Sequence, residues 1–161
     1  MEHPLRSPEE ILAYRPLQQI LESKPKALWT VGPADSALTA LQMMADKNIG
    51  HLVVLERGTL VGVLSERDCV RRVVLARKPL ETTPVGDFMV RNVVTVDFSH
   101  KFADCLRLMH QHKILHLVVM DSGKAVAVIS IRDLLGEAVT HHAKIIGDLE
   151  RERLTIFTST A

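Results

Sequence analysis

The sequence predicts an α+β fold: two pseudo-symmetric β-α-β-β-α repeats packed sheet to sheet in one globular module. Three observations carry this expectation. A shift of 65 residues lays 30–70 over 95–135 without a gap, and 15 of the 41 pairs are identical. Unrelated stretches would share roughly two or three, with common residues at about 5 to 10% usage each. Within each copy the apolar spacing changes in the same order, from β-branched runs to helical periodicity and back. Finally, a unit of about 60 residues is marginal as a self-sufficient core, so the two copies are expected to bury their sheets against each other.

Taken in order, residues 1–15 form an N-terminal extension, 16–80 the first repeat, 81–140 the second, and 141–161 a C-terminal helix and tail. The lead-ins 16–21 (PLQQIL) and 84–89 (PVGDFM) both read as short helical turns, and the first has three more residues before its strand. The β-branched pieces 29–31 and 93–96 read as strands. Ala37, Leu41, Met44, Ala45 and Asn48 are spaced as one face of an amphipathic helix, as are Phe102, Leu106 and Met109. Runs 52–55 and 60–64, and again 117–120 and 125–129, read as hairpins, because Gly58 and Gly123 interrupt the four-residue connections between them. A second helix opens at Ser65 and at Ser130. Residues 77–83 connect the copies. Residues 137–153 continue the last helix with a stripe of Ala138, Ile145, Ile146 and Leu149, suited either to its own globule or to a second copy of the chain. Residues 1–8 and 155–161 are expected to fray.

Composition narrows the function. The chain has 161 residues, 47% of them hydrophobic and 24% charged, with a formal net charge of +1. That excludes a large multidomain enzyme and argues against disorder. It also argues against a nucleic-acid partner, for which the short cluster Arg71, Arg72, Arg77, Lys78 is too small. No apolar run approaches the roughly 18 residues of a membrane span. Glu2, Pro4, Pro8, Glu9 and Glu10 break up the apolar core that a signal peptide requires, so no membrane partner and a cytoplasmic address are expected. Cys69 and Cys105 read as reduced core residues without metal-binding spacing.

The chemistry lies in the duplicated polar positions. Ser65-Glu66-Arg67-Asp68 recurs as Ser130-Ile131-Arg132-Asp133. One reading is a helix cap, with the serine hydroxyl accepting a first-turn N–H and the acidic side chain favouring the positive helix end. The other is nucleotide binding, in which the helix N-terminus suits phosphate and the carboxylate accepts from two ribose hydroxyls. A salt bridge to the residue four positions on could explain Asp68 through Arg72, but Asp133 has Glu137 there. His51 and His116 precede Leu-Val-Val in both copies and suit either a structural hydrogen bond or an anionic group. Thr30 and Thr95 start strands, where β-propensity is explanation enough. His110, His112 and His116, or His141 with His142, lack ligand spacing, so no metal is expected. No catalytic signature occurs, and an enzyme is not expected.

The order β-α-β-β-α with His-Leu-Val-Val, a glycine hairpin, Val-x-Val-[Leu/Ile]-Ser and x-Arg-Asp resembles a tandem pair of cystathionine β-synthase (CBS) domains over about residues 17–140. Val85-Gly86-Asp87-Phe88-Met89 is similar to the family's V-x-D-I-M turn, and Ser65-Glu66-Arg67-Asp68 with Arg71 to its S-x-R-D helix start. As a stand-alone bacterial pair, the resemblance implies a sensor of AMP, ADP, ATP, NAD(H) or S-adenosylmethionine, bound between the repeats with no catalytic cofactor. It implies that Asp68 and Asp133 hold ribose hydroxyls, with Ser65, Arg67, Ser130 and Arg132 beside them. His51 and His116 would contact phosphate, and Thr30, Val31, Val94 and Thr95 would line the adenine pocket. The family's proline is replaced by Val53 and Val118, and Glu66 by Ile131 in the second copy, so the two clefts are expected to differ. A homodimer, signal transduction and an unidentified regulated protein are further implications. A ligand-free dimerisation scaffold is the alternative.

Overall fold

The computed structural model describes residues 13–159. It contains two three-stranded sheets, each with one parallel and one antiparallel pairing. Helix α1 (Leu17–Glu22) leads to β1 (Thr30–Val31), α2 (Ala37–Lys47) and the hairpin β2 (His51–Glu56) and β3 (Thr59–Ser65). Helix α3 (Glu66–Cys69) then widens into a π-helical turn, Val70–Val74, which the periodicity did not foretell. After the 3-10 turn Val85–Asp87 the order repeats as β4 (Thr95–Val96), α4 (Phe102–His112), β5 (His116–Asp121), β6 (Lys124–Ser130) and α5 (Ile131–Ser159).

Local chemistry accounts for the element ends. Ser36 caps α2 by accepting from the Thr39 N–H at 3.1 Å. At the other end Asn48 is not part of the apolar helix face, as its spacing suggested; it adopts φ 53°, ψ 48° and terminates the helix. Lys113 does the same for α4 at φ 54°, ψ 43°. The next N–H in each copy, Ile49 to the Met44 carbonyl and Ile114 to the Met109 carbonyl, closes the reversal. The hairpins turn on two residues rather than four, with Arg57–Gly58 and Ser122–Gly123 all at positive φ, the geometry that matches strand twist. Helix α5 passes the expected end near residue 153 and runs to Ser159. The fraying expected at 1–8 lies outside the described residues.

Two cores form, and each borrows its lead-in from the other repeat. Leu17 and Ile20 of α1 are buried with Val96, Cys105, Leu117, Val119, Ile129 and Leu134 of the second repeat. Val85, Phe88 and Met89 are buried with Val31, Met44, Leu52, Val54, Leu64 and Cys69 of the first. The Arg15 guanidinium reinforces the exchange by donating to Glu137 of α5 at 2.6 and 2.8 Å, so this carboxylate, only 4% exposed, is not left unpaired. The sheets themselves meet where β3 approaches β6.

The two lead-ins end differently. Val90 forms a backbone bridge with Val63, exchanging N–H and carbonyl at 2.8 and 3.0 Å, and so closes the edge of β3. Such close approach requires Gly62, where an added Cβ would lie 2.6 Å from Met89 Sδ and 3.1 Å from the Val90 carbonyl oxygen. Among the described residues the longer first lead-in makes no matching bridge to β6. Its Lys24 side chain instead donates to the Val128 carbonyl at 3.0 Å, and Val128 is the residue duplicated from Val63.

Candidate functional site

Opening this edge leaves a cleft of about 1090 Å³ between the repeats. One wall is the first lead-in from Lys24 to Trp29, with the C-terminal end of α2 and Gly50; the other is β6 with Ser130, Ile131 and Arg132. His51 and His116 lie at the junction, their rings 4.6 Å apart and inclined by 17°. Lys24, Lys26, Lys47 and Arg132 outnumber Glu22 and Glu66 in the lining, so positive charge prevails. Trp29 and Phe98, both more than a third exposed, supply aromatic surface, and the Lys47 ammonium sits 4.3 Å from the Trp29 ring centre.

Both Ser-x-x-Asp segments form complete capping boxes. Asp68 Oδ2 accepts from the Ser65 N–H at 2.9 Å and its hydroxyl at 2.7 Å, and the Asp68 N–H returns a bond to Ser65 Oγ at 3.2 Å. Asp133 and Ser130 repeat this at 2.7, 2.9 and 3.2 Å. The carboxylates then part company. Asp133 Oδ2 also accepts from Lys24 Nζ at 2.6 Å, whereas the one cation paired with Asp68 among the described residues is the Arg72 guanidinium at 3.9 Å, which itself donates to the Phe88 carbonyl.

Of the residues singled out from the sequence, His51, His116, Ser130 and Arg132 line the cleft. Asp133 stands behind Ser130, tied to the cleft through Lys24. Ser65, Arg67 and Asp68 lie outside this lining, although their neighbour Glu66 belongs to it. Val31 is buried in the first core, Val94 packs on the second, and Thr30 and Thr95 pair with Val53 and Val118. Lys24, Trp29 and Lys47 were not foreseen. Lys24 falls in the part of the lead-in that has no counterpart, where a comparison of the chain with itself is silent.

The histidines are held neutral. Burial, then the neighbouring His116, push His51 down to about 3, against the opposing pull of Asp68. Burial and the Lys24 ammonium lower His116 as well. A neutral imidazole offers one donor and one acceptor, so these rings can form hydrogen bonds within the cleft without adding charge to it. Among the described residues no group of three or more His, Cys, Asp or Glu side chains could hold a metal ion, and no helix is long and apolar enough to cross a membrane.

The CBS domain family pattern matches twice, at residues 21–75 and 85–139. The chain belongs to the CBS-domain family. Its fold is similar to a solved CBS domain protein, NE2398, with TM-score 0.74 and 38% identity over 78% of this chain and 98% of that one. It is also similar to a signal-transduction protein with CBS domains from Burkholderia ambifaria, with TM-score 0.75 and 35% identity over 78% and 95%. The CBS pair of MJ0100, solved with 5'-methylthioadenosine and S-adenosyl-L-methionine, shares the fold at TM-score 0.66 and 21% identity, over 74% of this chain and 96% of that one. Among curated relatives, the mitochondrial CBSX3 of Arabidopsis thaliana is 28% identical over 86% of this chain and 72% of its own length. A longer Arabidopsis protein, CBSCBSPB5, is 32% identical over 77% of this chain, which spans only 23% of that relative.

Proposed function

We propose that this CBS pair is a non-enzymatic regulatory module that binds an adenine nucleotide (AMP, ADP, ATP or NAD(H)) in the cleft between its repeats and reports energy or redox state in the cytoplasm. The observation that carries the reading is the cleft itself: a nucleotide-sized, cation-rich space with aromatic surface, lined by the start of α5 from Ser130 to Arg132, whose serine–aspartate pairing recurs at the start of α3. The adenosine-type ligands of MJ0100 support the same class. In this reading Asp133 holds ribose hydroxyls with Ser130 and Arg132 beside it, and the cations take phosphate. Asp68, Ser65 and Arg67, which lie outside this lining, would do the same at the equivalent helix start of the first repeat, with Thr30, Val31, Val94 and Thr95 contributing main-chain contacts to adenine. A ligand touching both halves shifts their relative arrangement in proportion to its differential affinity, which is how the signal reaches a regulated protein.

The test is thermal. A nucleotide at about 100 times its dissociation constant adds about 2.7 kcal/mol of stability, and the quenching of Trp29, the only tryptophan, provides a direct titration. Asp133→Asn, which keeps an oxygen for the Ser130 cap, should abolish most of the gain. If AMP, ADP, ATP and NADH all leave both the melting temperature and the fluorescence unchanged, the reading fails.

A second reading, a ligand-free dimerisation scaffold, is favoured by one specific feature. Val70 and Val74 in the first copy and their duplicates Leu135 and Val139 in the second are exposed apolar pairs at equivalent places. A homodimer through these faces is compatible with either reading. The scaffold alone predicts a dimer that sediments identically with and without nucleotide and shows no thermal response.

A further inference from the structure

We propose that Lys24 is a movable cation that competes with a ligand's ribose for Asp133 and then pairs with its phosphate, so that the cleft selects nucleotides over nucleosides. The inference rests on the nucleotide reading and adds to it the residue that sets ligand class.

The argument begins with the broken symmetry of the lead-ins. At β3, the Val63 carbonyl is satisfied by the Val90 backbone N–H, which cannot leave without unzipping a bridge held from both sides. At β6, the duplicated Val128 carbonyl is satisfied by a side chain, Lys24 Nζ, on a flexible four-carbon stem. The same ammonium bonds Asp133 Oδ2 at 2.6 Å. Lys24 therefore holds two acceptors that no other described side chain bonds across the cleft, and rotation of its own bonds is enough to release them.

What it releases defines the replacement. A carbonyl and a carboxylate oxygen, both within 3.0 Å of one nitrogen, are two acceptors side by side, and they call for two adjacent donors. A vicinal diol is such a group. Asp133 Oδ2 already takes the Ser130 N–H and hydroxyl, so a third donor of any kind must replace Lys24 on that oxygen or use Oδ1. Once displaced, the lysine is an unpaired cation in a lining that also holds Lys26, Lys47 and Arg132, with Glu22 and Glu66 its only carboxylates among the described residues. A ligand that carries its own phosphate gives this cation a new partner, and a nucleoside does not. A nucleoside whose diol takes the place of Lys24 on Oδ2 therefore leaves the ammonium without an anionic partner, whereas a nucleotide exchanges one charged contact for another.

The test compares adenosine and AMP by isothermal titration with the wild-type chain, Lys24→Met, which keeps length without charge, and Lys24→Arg. Circular dichroism melting verifies that each variant is folded. Lys24→Met should bind adenosine at least 5-fold more tightly and AMP more weakly, lowering the preference for AMP by 10-fold or more, and Lys24→Arg should retain most of that preference. Equal changes for both ligands, or no change, would overturn the role of Lys24 while leaving the nucleotide reading intact. Weaker adenosine binding by Lys24→Met would overturn the competition. If neither ligand binds any of the three proteins, the nucleotide reading fails and this inference with it; binding only by Lys24→Met would overturn the pairing of Lys24 with phosphate.

Discussion

His51 and His116, the two copies of one duplicated residue, stack on each other with ring centres 4.6 Å apart. The self-comparison of the sequence aligns them, but only the fold puts them face to face at the junction of the repeats.

The stacked pair makes the module sensitive to mild acid. His51 is lowered to about 3 and its Nδ1 is buried without a hydrogen-bond partner among the described residues. A folded-state value below the unfolded one near 6.5 means that protons favour unfolding. Stability is complete above that value, and is lost as pH falls from it towards the folded value. At pH 5 the loss from His51 alone is about 2 kcal/mol. Glu137, which burial would raise but Arg15 holds below its ordinary range, contributes a term of the same sign, lost only as pH falls below about 4.5. Urea unfolding between pH 7.5 and 5 should therefore show a fall that His51→Gln largely removes. A flat profile in the wild-type chain would refute this account.

Gly62 should be intolerant of a methyl group. Its Cβ would collide with Met89 Sδ and the Val90 carbonyl, and the carbonyl belongs to the bridge that closes β3. Gly62→Ala is expected to cost about 1 to 3 kcal/mol, measured by chemical denaturation. The duplicated position is already Ala127, and Ala127→Gly should cost less than 1 kcal/mol. Equal costs at the two positions would mean that the lead-ins pack alike.

Lys113 carries strain that Asn48 avoids. Both end a helix in the left-handed region, at φ 54° and 53°, but asparagine tolerates that conformation and lysine does not. Lys113 is exposed, so its removal sacrifices no packing. Lys113→Gly should stabilise the protein by about 0.5 to 1 kcal/mol in equilibrium unfolding, after the added freedom of the unfolded chain is deducted. Destabilisation would contradict the assigned backbone.

Much of this architecture was legible because duplication makes the sequence its own comparison. The matched hairpins, the serine-started helices and the aligned histidines all follow from positions that occur twice. The limits have the same origin. Lys24 has no twin, so its reach to Asp133 left no trace in the pattern. Asn48 carried the right spacing for an apolar helix face, yet its short polar side chain suited the left-handed cap better. The Arg15–Glu137 pair spans 122 residues, a separation at which neither periodicity nor local spacing gives information. The sequence comparison of the two clefts pointed to Glu66 and Ile131 as the source of their inequivalence; the lead-in geometry supplies a further cause, since three additional residues replace a backbone bridge with a lysine.

The exchange of lead-ins bears on how such a chain could arise. Leu17 and Ile20 complete the core of the far repeat, and Val85, Phe88 and Met89 complete that of the near one. A solitary ancestral unit would have had a helix with nowhere to dock and a sheet missing its plug, a defect cured only by meeting a second copy of itself. Two copies in one chain make that encounter permanent, and the arms need not stay alike: one seals the edge of β3, the other leaves a doorway beside β6.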